Sequence, residues 1–149
     1  MRFIGSIEAK IDTKGRAFLP AIFRKVLAAS DEEKIVMRKD IHQPCLVLYP
    51  ESIWNIQLDT LNSHLNRWNA NHRQIFRQFV SDAEIIELDG NGRFLIPKRY
   101  LNMVNIKQSI KFIGMDDTVE IWNNDNSNSQ MAPQEFSKQL EEIMNIENC

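Results

Sequence analysis

Asp12-Thr13-Lys14-Gly15-Arg16, followed by Pro20, decides the fold of this chain because the same pattern returns 77 residues later. The second copy reads Asp89-Gly90-Asn91-Gly92-Arg93 and is followed by Pro97, so aspartate, glycine, arginine and proline stand at identical offsets. A repeat of this length indicates one structural unit used twice within 149 residues. We therefore expect a pseudo-symmetric fold in which Arg16 and Arg93 do the same work.

Each copy predicts a turn between two strands. Apolar and polar residues alternate over residues 7–11, which is the period of a half-buried strand. Asp12 supplies a side chain that accepts hydrogen bonds within the turn, and Gly15 tolerates a positive φ. We expect residues 7–19 to form a tight β-hairpin, followed by a short helix led by the proline.

Further apolar segments complete a ββαββ unit in each half. Strands are predicted at about residues 35–38 and 45–49 in the first half, and at 111–113 and 119–122 in the second. We predict an α+β fold of two tandem ββαββ units that form a pseudo-dimeric β-barrel, with a helical spacer and a C-terminal helix. The predicted divisions are unit 1 at 1–52, the helical spacer at 53–82, unit 2 at 83–125, and a polar linker with the C-terminal helix at 126–149.

The spacer and the C-terminal segment both carry helical periodicity. Apolar residues within 54–79 recur at alternating spacings of four and three, and asparagines predict a break into two helices near 63–71. This stripe carries two tryptophans and is long for the chain, which favours core packing or an interface between copies. After a polar run, Pro133 predicts a final helix whose apolar face contains Phe136, Leu140, Ile143 and Met144.

Charge is distributed unevenly along the chain. The formal net charge is −2, but residues 1–115 hold 17 basic against 12 acidic residues, a net of +5. Residues 116–149 hold one lysine against eight acids, a net of −7. The local field, and not the total charge, steers a polyanion, although acidic C-terminal segments also commonly aid solubility. Charge alone therefore leaves DNA binding open.

Patterns typical of enzymes and metal sites are absent from the sequence. The three histidines lack metal-ligand spacing, and P-loop, GxSxG and GxGxxG patterns do not occur. We predict no catalytic residues, no metal site and no cofactor. No apolar run is long enough to cross a membrane, and the first residues turn polar too soon for a secretory signal. Because Cys45 and Cys149 also show no metal spacing, we expect a reduced, cytoplasmic protein.

The repeated arginine is the best candidate for a binding residue. One copy of the turn is explained by a surface ion pair worth about 0–1 kcal/mol, but stability does not require arginine in both copies. A guanidinium fork suits phosphate or the O6/N7 edge of guanine. The predicted DNA-binding residues are Lys14, Arg16, Asn91 and Arg93, with Asp12, Gly15, Asp89 and Gly92 orienting the turns. Secondary phosphate contacts are predicted for Lys10, Arg24 and Lys98.

The first copy is the richer of the two in positive charge. Residues 8–25 hold five cations against two acids, whereas residues 84–99 hold three of each. We expect the first hairpin to dominate DNA binding and the second to assist.

The paired Asp…Gly-Arg…Pro patterns, with an opening Phe3-Ile4-Gly5, resemble the MraZ family of bacterial transcriptional regulators over essentially the whole chain. The resemblance implies two SpoVT/AbrB-type swapped-hairpin units and a sequence-specific DNA-binding regulator encoded with division and cell-wall genes. It also implies a ring-shaped homo-oligomer, associated with the nucleoid, that binds G-rich direct repeats of double-stranded DNA at its own promoter. Only Lys14, Arg16 and Arg93 carry over, since Asn91 replaces the lysine of the second copy. The first alternative is an antitoxin-like or other swapped-hairpin module whose main partner is a protein. The second is a small enzyme or a purely structural ring, which no set of residues in the sequence favours.

Overall fold

Two ββαββ units follow one another along the chain, separated by two helices. Unit 1 contains β1 (Ser6–Lys10), β2 (Arg16–Phe18), α1 (Ala21–Ala29), β3 (Ile35–Lys39) and β4 (Leu46–Pro50). Helices α2 (Glu51–His64) and α3 (Ala70–Ser81) come next. Unit 2 contains β5 (Glu84–Ile86), β6 (Arg93–Leu95), α4 (Lys98–Met103), β7 (Ser109–Met115) and β8 (Thr118–Asn123), and α5 (Pro133–Glu147) follows. The computed structural model describes residues 1–126 and 130–147, and Cys149 lies outside them.

Prolines and an asparagine set where the helices begin. Pro20, Pro50 and Pro97 immediately precede α1, α2 and α4, with φ between −52° and −55°. The proline ring fixes this φ, so the chain enters each helix from a predetermined direction. The Asn69 side chain caps α3 by accepting two backbone N–H bonds, and the gap between α2 and α3 is the break that the asparagines predict.

Strands are exchanged between the two units. The six-stranded sheet has the order β1-β7-β8-β4-β3-β5, with all its pairs antiparallel. Under the sequence repeat, β1 corresponds to β5 and β3 corresponds to β7. The first strand of each unit therefore pairs with the third strand of the other, Ser6 opposite Ile113 and Ile35 opposite Ile86. Each half completes the sheet of its counterpart.

The tight β-hairpin predicted for residues 7–19 is wrong in its pairing. β1 pairs with β7, whereas β2 pairs with β6 in a separate two-stranded sheet. A hydrogen bond of 2.9 Å from the Asp12 N–H to the Arg16 carbonyl oxygen closes the turn between them. Alternating polarity identifies a strand and its buried face but does not identify the partner strand.

The two-stranded sheet of β2 and β6, called the ribbon below, covers the core. β1 and β5 are the outer strands of the larger sheet, so hydrogen bonds do not close the described strands into the predicted β-barrel. Ala17 and Phe94 lie opposite one another in the ribbon, and both belong to the buried cluster that contains Phe112 of the sheet. Phe23 of α1 and Tyr100 of α4, equivalent in the repeat, are both 0% exposed. One core therefore serves both units, and the predicted domain boundaries remain a prediction.

The N-terminal segment is held against the turn between β7 and β8. Phe3 is buried and meets the Phe23 ring edge to face, with 5.7 Å between centroids. Its backbone exchanges two hydrogen bonds with Asp116, and the Gly114 N–H donates to the Gly5 carbonyl oxygen at 2.8 Å. A Cβ atom on Gly114 would lie 2.5 Å from the carbonyl carbon of Phe3. This close approach of two backbones requires glycine.

We predict that Gly114→Ala lowers the free energy of unfolding by about 1–3 kcal/mol, because the added methyl group forces the N-terminal segment away from the sheet. Urea unfolding followed by tryptophan fluorescence measures the change. Gly90→Ala is the matched control, since nothing lies within 4 Å of a Cβ atom there. Equal midpoints for the two variants would show that the segment does not need this contact.

Candidate nucleic-acid interface

The first turn, residues 12–16, is organised by one carboxylate. Oδ1 of Asp12 accepts the backbone N–H groups of Lys14 and Arg16, each at 2.9 Å, and Oδ2 accepts the Arg16 Nε–H at 2.8 Å. Gly15 takes a φ of +86°, which a residue with a side chain rarely adopts. The guanidinium of Arg16 is therefore held by a hydrogen bond at Nε, and its two Nη groups donate to none of the described residues.

The second turn, residues 89–93, has the same geometry. Oδ1 of Asp89 accepts the N–H groups of Asn91 and Arg93, and Oδ2 accepts the Arg93 Nε–H, all at 2.9 Å. Gly92 has a φ of +83°. Side chains of the two arginines are 36% and 30% exposed, so both guanidinium groups reach the surface. Each aspartate thus bonds to the backbone N–H and the Nε–H of the arginine in its turn, and its orienting role stays a prediction.

The ribbon brings the two arginines together. Arg16 lies opposite Leu95, and Arg93 lies opposite Phe18, so the arginines are diagonal neighbours with backbones about 7–8 Å apart. Because Ala17 and Phe94 point into the core, alternation along the strands places both arginines on the outer face of the ribbon. One surface thus carries two guanidinium groups from residues 77 positions apart.

Hydrogen bonds between the units hold the two turns in register. The Leu19 N–H donates to the Gly92 carbonyl oxygen, and the Ile96 N–H donates to the Gly15 carbonyl oxygen, both at 2.9 Å. Each turn is therefore tied to the strand that leaves the other turn. This reciprocal bonding fixes the spacing of the arginines through the backbone.

Arg24 belongs in space to the second turn, although it lies in unit 1. Its Nε–H donates to the Leu19 carbonyl oxygen at 3.0 Å, and its Cδ and Nη1 atoms pack where a Cβ atom on Gly92 would lie, 2.7 Å away. The equivalent position of the first turn is occupied by the Leu101 side chain, against Gly15. Unit 1 therefore supplies a cation to the second turn, although Arg24 is closer in sequence to the first. Distance along the sequence does not reveal which turn a side chain covers.

The remaining predicted residues lie at the surface around the ribbon. Lys14 and Asn91 are exposed at the tips of the two turns, Lys10 is exposed at the end of β1, and Lys98 is exposed at the start of α4. Sequence reasoning missed Phe18 and Leu95, which are 56% and 53% exposed on the same outer face as the arginines. Their position two residues from each arginine is the signal that was available.

The carboxylates of the turns are held in their ionised form. The backbone N–H of Arg16 lowers the pKa of Asp12 below its usual value, and the backbone N–H of Arg93 does the same for the pKa of Asp89. These carboxylates therefore stay charged at neutral pH and keep accepting from the arginines.

Other reactive side chains in the described part of the chain form no catalytic site. Cys45 is buried, and this burial raises the pKa of its thiol to about 12, so it is no nucleophile at neutral pH. His72 uses Nδ1 to accept the Asn66 N–H at 2.9 Å, which packs the loop between α2 and α3. Among residues 1–126 and 130–147, no group of three potential ligands is placed to hold a metal ion. None of the described helices has the length and apolarity needed to span a bilayer.

We predict that Asp12 titrates at a lower pH in the folded protein than in a peptide of residues 8–20, measured by carboxyl ¹³C NMR. The folded pKa lies below the unfolded one, so the stabilising effect of this group is complete above the unfolded pKa. It is lost as the pH falls through the folded pKa. Arg16→Gln should keep part of the depression of this pKa, because the backbone N–H of residue 16 is its largest cause and is retained. Equal titration of protein and peptide would contradict the turn geometry.

The chain is similar to known proteins over nearly its whole length. A family model described as "MraZ protein, putative antitoxin-like" matches residues 3–78 and again residues 79–147. A protein of Phocaeicola vulgatus named "Transcriptional regulator MraZ" is 58% identical, with 99% of this chain and 97% of the relative covered. Its namesake in Bacteroides thetaiotaomicron is 56% identical, covering 99% and 96% of the two chains.

A more distant relative has the same name and nearly the same extent. The protein named "Transcriptional regulator MraZ" in Nitrosococcus oceani is 34% identical, with 93% of each chain covered. The two matches of the family model each contain one Asp…Gly-Arg turn, in agreement with the duplicated fold. The chain belongs to the MraZ family.

Proposed function

We propose that this protein is a sequence-specific DNA-binding transcriptional regulator and that the outer face of the ribbon, with its two turns, contacts duplex DNA. The observation that supports this proposal most strongly is the placement of Arg16 and Arg93 on one surface, each held at Nε with its Nη groups free. Two-stranded ribbons fit the major groove of B-DNA. The names of the relatives agree with this function.

The arginines are proposed to read guanine. A bidentate guanidinium contact with O6 and N7 is the commonest specific contact in the major groove. Asp12 and Asp89 occupy the Nε edge of each fork and restrict its rotation, so less conformational entropy is lost when the Nη groups bind. Two such contacts from one ribbon favour G-rich targets, as the family resemblance implies.

Positive residues around the ribbon are proposed to contact phosphates. Lys14 lies at the tip of the first turn, and Lys10 and Lys98 are exposed beside the ribbon. Asn91 replaces a charge at the second tip, where Arg24 packs over Gly92 and supplies a cation from the other unit. We propose that the first turn contributes more, with Arg24 supporting the second.

We propose that self-assembly raises the affinity for DNA, because it joins many weak contacts between turns and duplex. Two turns give each chain few phosphate contacts, so one chain binds duplex DNA weakly. A ring-shaped homo-oligomer raises the effective concentration of the turns when direct repeats match the spacing of the subunits. We propose such a ring on double-stranded repeats at the protein's own promoter in the division and cell-wall cluster, in the cytoplasm at the nucleoid.

We propose that the two units together form a pseudo-dimeric barrel that is closed by packing of the ribbon and not by a continuous ring of hydrogen bonds. The exchange of β1 and β5, together with the ribbon over the open side of the sheet, supports this description. The alternative function is an antitoxin-like module that binds a protein, which the family description favours. DNA titration separates the two, because only a regulator needs free arginine forks on the ribbon.

We predict that Arg16→Ala weakens binding to the upstream DNA of its own gene by about 1–3 kcal/mol, because a bidentate base contact is lost. Arg93→Ala should cost less, since the second tip carries asparagine. Fluorescence anisotropy with a labelled duplex measures both affinities.

Arg2→Ala is the control for that titration. Arg2 pairs with Asp116, which lies by the Ser6 end of β1, whereas the first turn follows the Lys10 end. The control should bind like the unaltered protein. Unchanged affinity of both the Arg16 and Arg93 variants would refute the proposed contact.

We predict that Lys98→Ala and Arg24→Leu each make the slope of log affinity against log salt less negative by about 0.9, because each removes one phosphate contact. Arg24→Leu copies the packing of Leu101 at the first turn, so the fold should be retained. Preference among duplexes of different sequence should stay constant. A change in base preference with an unaltered salt slope would assign these residues to base contact instead.

A further inference from the structure

Helix α5 leaves its apolar face uncovered. Phe136, Leu140, Ile143 and Met144 recur at helical spacing and form this face, and their exposed fractions lie between 47% and 59%. A helix this amphipathic gains its stability by burying that face. Every described side chain from Gln130 to Asn145 is exposed, so a single copy of the chain does not provide the cover.

Helices α2 and α3, with the loop that joins them, line a groove that contains apolar and positively charged side chains. Its volume is about 370 Å³, and its apolar lining includes Leu65, Phe76 and Val80. Arg67, Arg73 and Arg77 also line it, while no acidic residue does. None of these three arginines forms an ion pair with another residue in the described part of the chain. The groove therefore combines an apolar patch with three positive charges, and Asn62, Asn66 and His72 complete its lining.

The charges of α5 complement the groove. A helix turns about 100° per residue, so Glu141 and Glu135 fall on opposite sides of the apolar face, each roughly 120° from its centre. Lys138 falls on the far side of the helix. When the apolar face is turned into the groove, one glutamate lies on each side of the contact, and the lysine points away.

We propose that α5 of one copy docks in the groove between α2 and α3 of a second copy. This inference rests on the proposed self-assembly and names the contact that would produce it. Docking removes two apolar surfaces from water and brings Glu135 and Glu141 to a groove that holds three arginines. Trp68, which is 96% exposed beside Arg67, adds an aromatic side chain of the kind enriched at interface centres.

A second copy fits the groove better than DNA does. A duplex would match the arginines but would leave Leu65, Phe76 and Val80 facing sugar and phosphate, which gain nothing from apolar contact. Helix α5 matches both features, and each copy carries one helix and one groove. Such a pair of unlike surfaces on every chain makes head-to-tail contacts, which close into rings when the rotation permits.

Reciprocal charge reversal tests the contact. Variant A carries Arg73→Glu and Arg77→Glu in the groove, and variant B carries Glu135→Arg and Glu141→Arg on α5. Within each variant the docking surfaces have like charge, so each alone should elute as one chain in chromatography with light scattering. An equimolar mixture should assemble, because groove A attracts helix B and groove B attracts helix A.

Two further variants complete the experiment. Lys138→Glu reverses a charge on the far side of α5 and should leave assembly unchanged. Phe136→Ser removes an apolar anchor without changing charge and should reduce assembly, and far-ultraviolet circular dichroism checks that it folds. Assembly of variants A and B alone to the size of the unaltered protein, or no rescue on mixing, would overturn the docking of α5.

Failure of this contact is distinguishable from failure of the proposed function. An unaltered chain that elutes as a single copy would overturn both the ring and the docking. Assembly unaffected by the α5 variants, with DNA binding still dependent on Arg16, would overturn the docking alone. Loss of DNA affinity in variant A with assembly intact would assign the groove to DNA and also overturn the docking.

Discussion

Antiparallel pairing of β2 with β6 is the constraint on which the rest of this structure depends. Three residue pairs join strands that lie 77 positions apart, and the central pair, Ala17 with Phe94, is buried in the common core. Strand alternation then forces both flanking arginines outward. Reciprocal bonds from Leu19 and Ile96 to the opposite turns lock this arrangement. Burial of Ala17 and Phe94 in the core therefore determines the outer surface of the ribbon, to which both units contribute.

Each turn combines a rigid backbone with a partly free cation. A carboxylate with three hydrogen bonds is costly to protonate, so it remains charged and keeps hold of the arginine Nε. The ion pair itself is exposed and contributes little stability. Its effect is to hold the Nη groups in one orientation, which suits the proposed recognition of a planar base edge. Duplication then supplies two such groups at one spacing.

The two units differ where their environments differ. Unit 1 is followed by α2 and α3, and Trp54 of α2 packs between Tyr49 and Phe79 at ring-centroid distances of 5.3 and 5.4 Å. Unit 2 is followed by a polar run and by α5, which remains exposed. Arg24 and Leu101 mark the same asymmetry at the turns. The repeat thus gives the two turns the same backbone geometry. Differences at single positions, such as Arg24 against Leu101, give the turns different charges.

The repeat, the strand and helix segments, the turn residues and the orienting aspartates were all determined by the sequence, because local patterns encode local structure. Only the tertiary structure decided that the strands at each turn pair with the other unit, that the large sheet stays open, and that Arg24 covers the second turn. It alone placed Phe18 and Leu95 beside the arginines. Partner strands are chosen by burial of a shared core, and neither alternation nor spacing along the chain records which partner buries most.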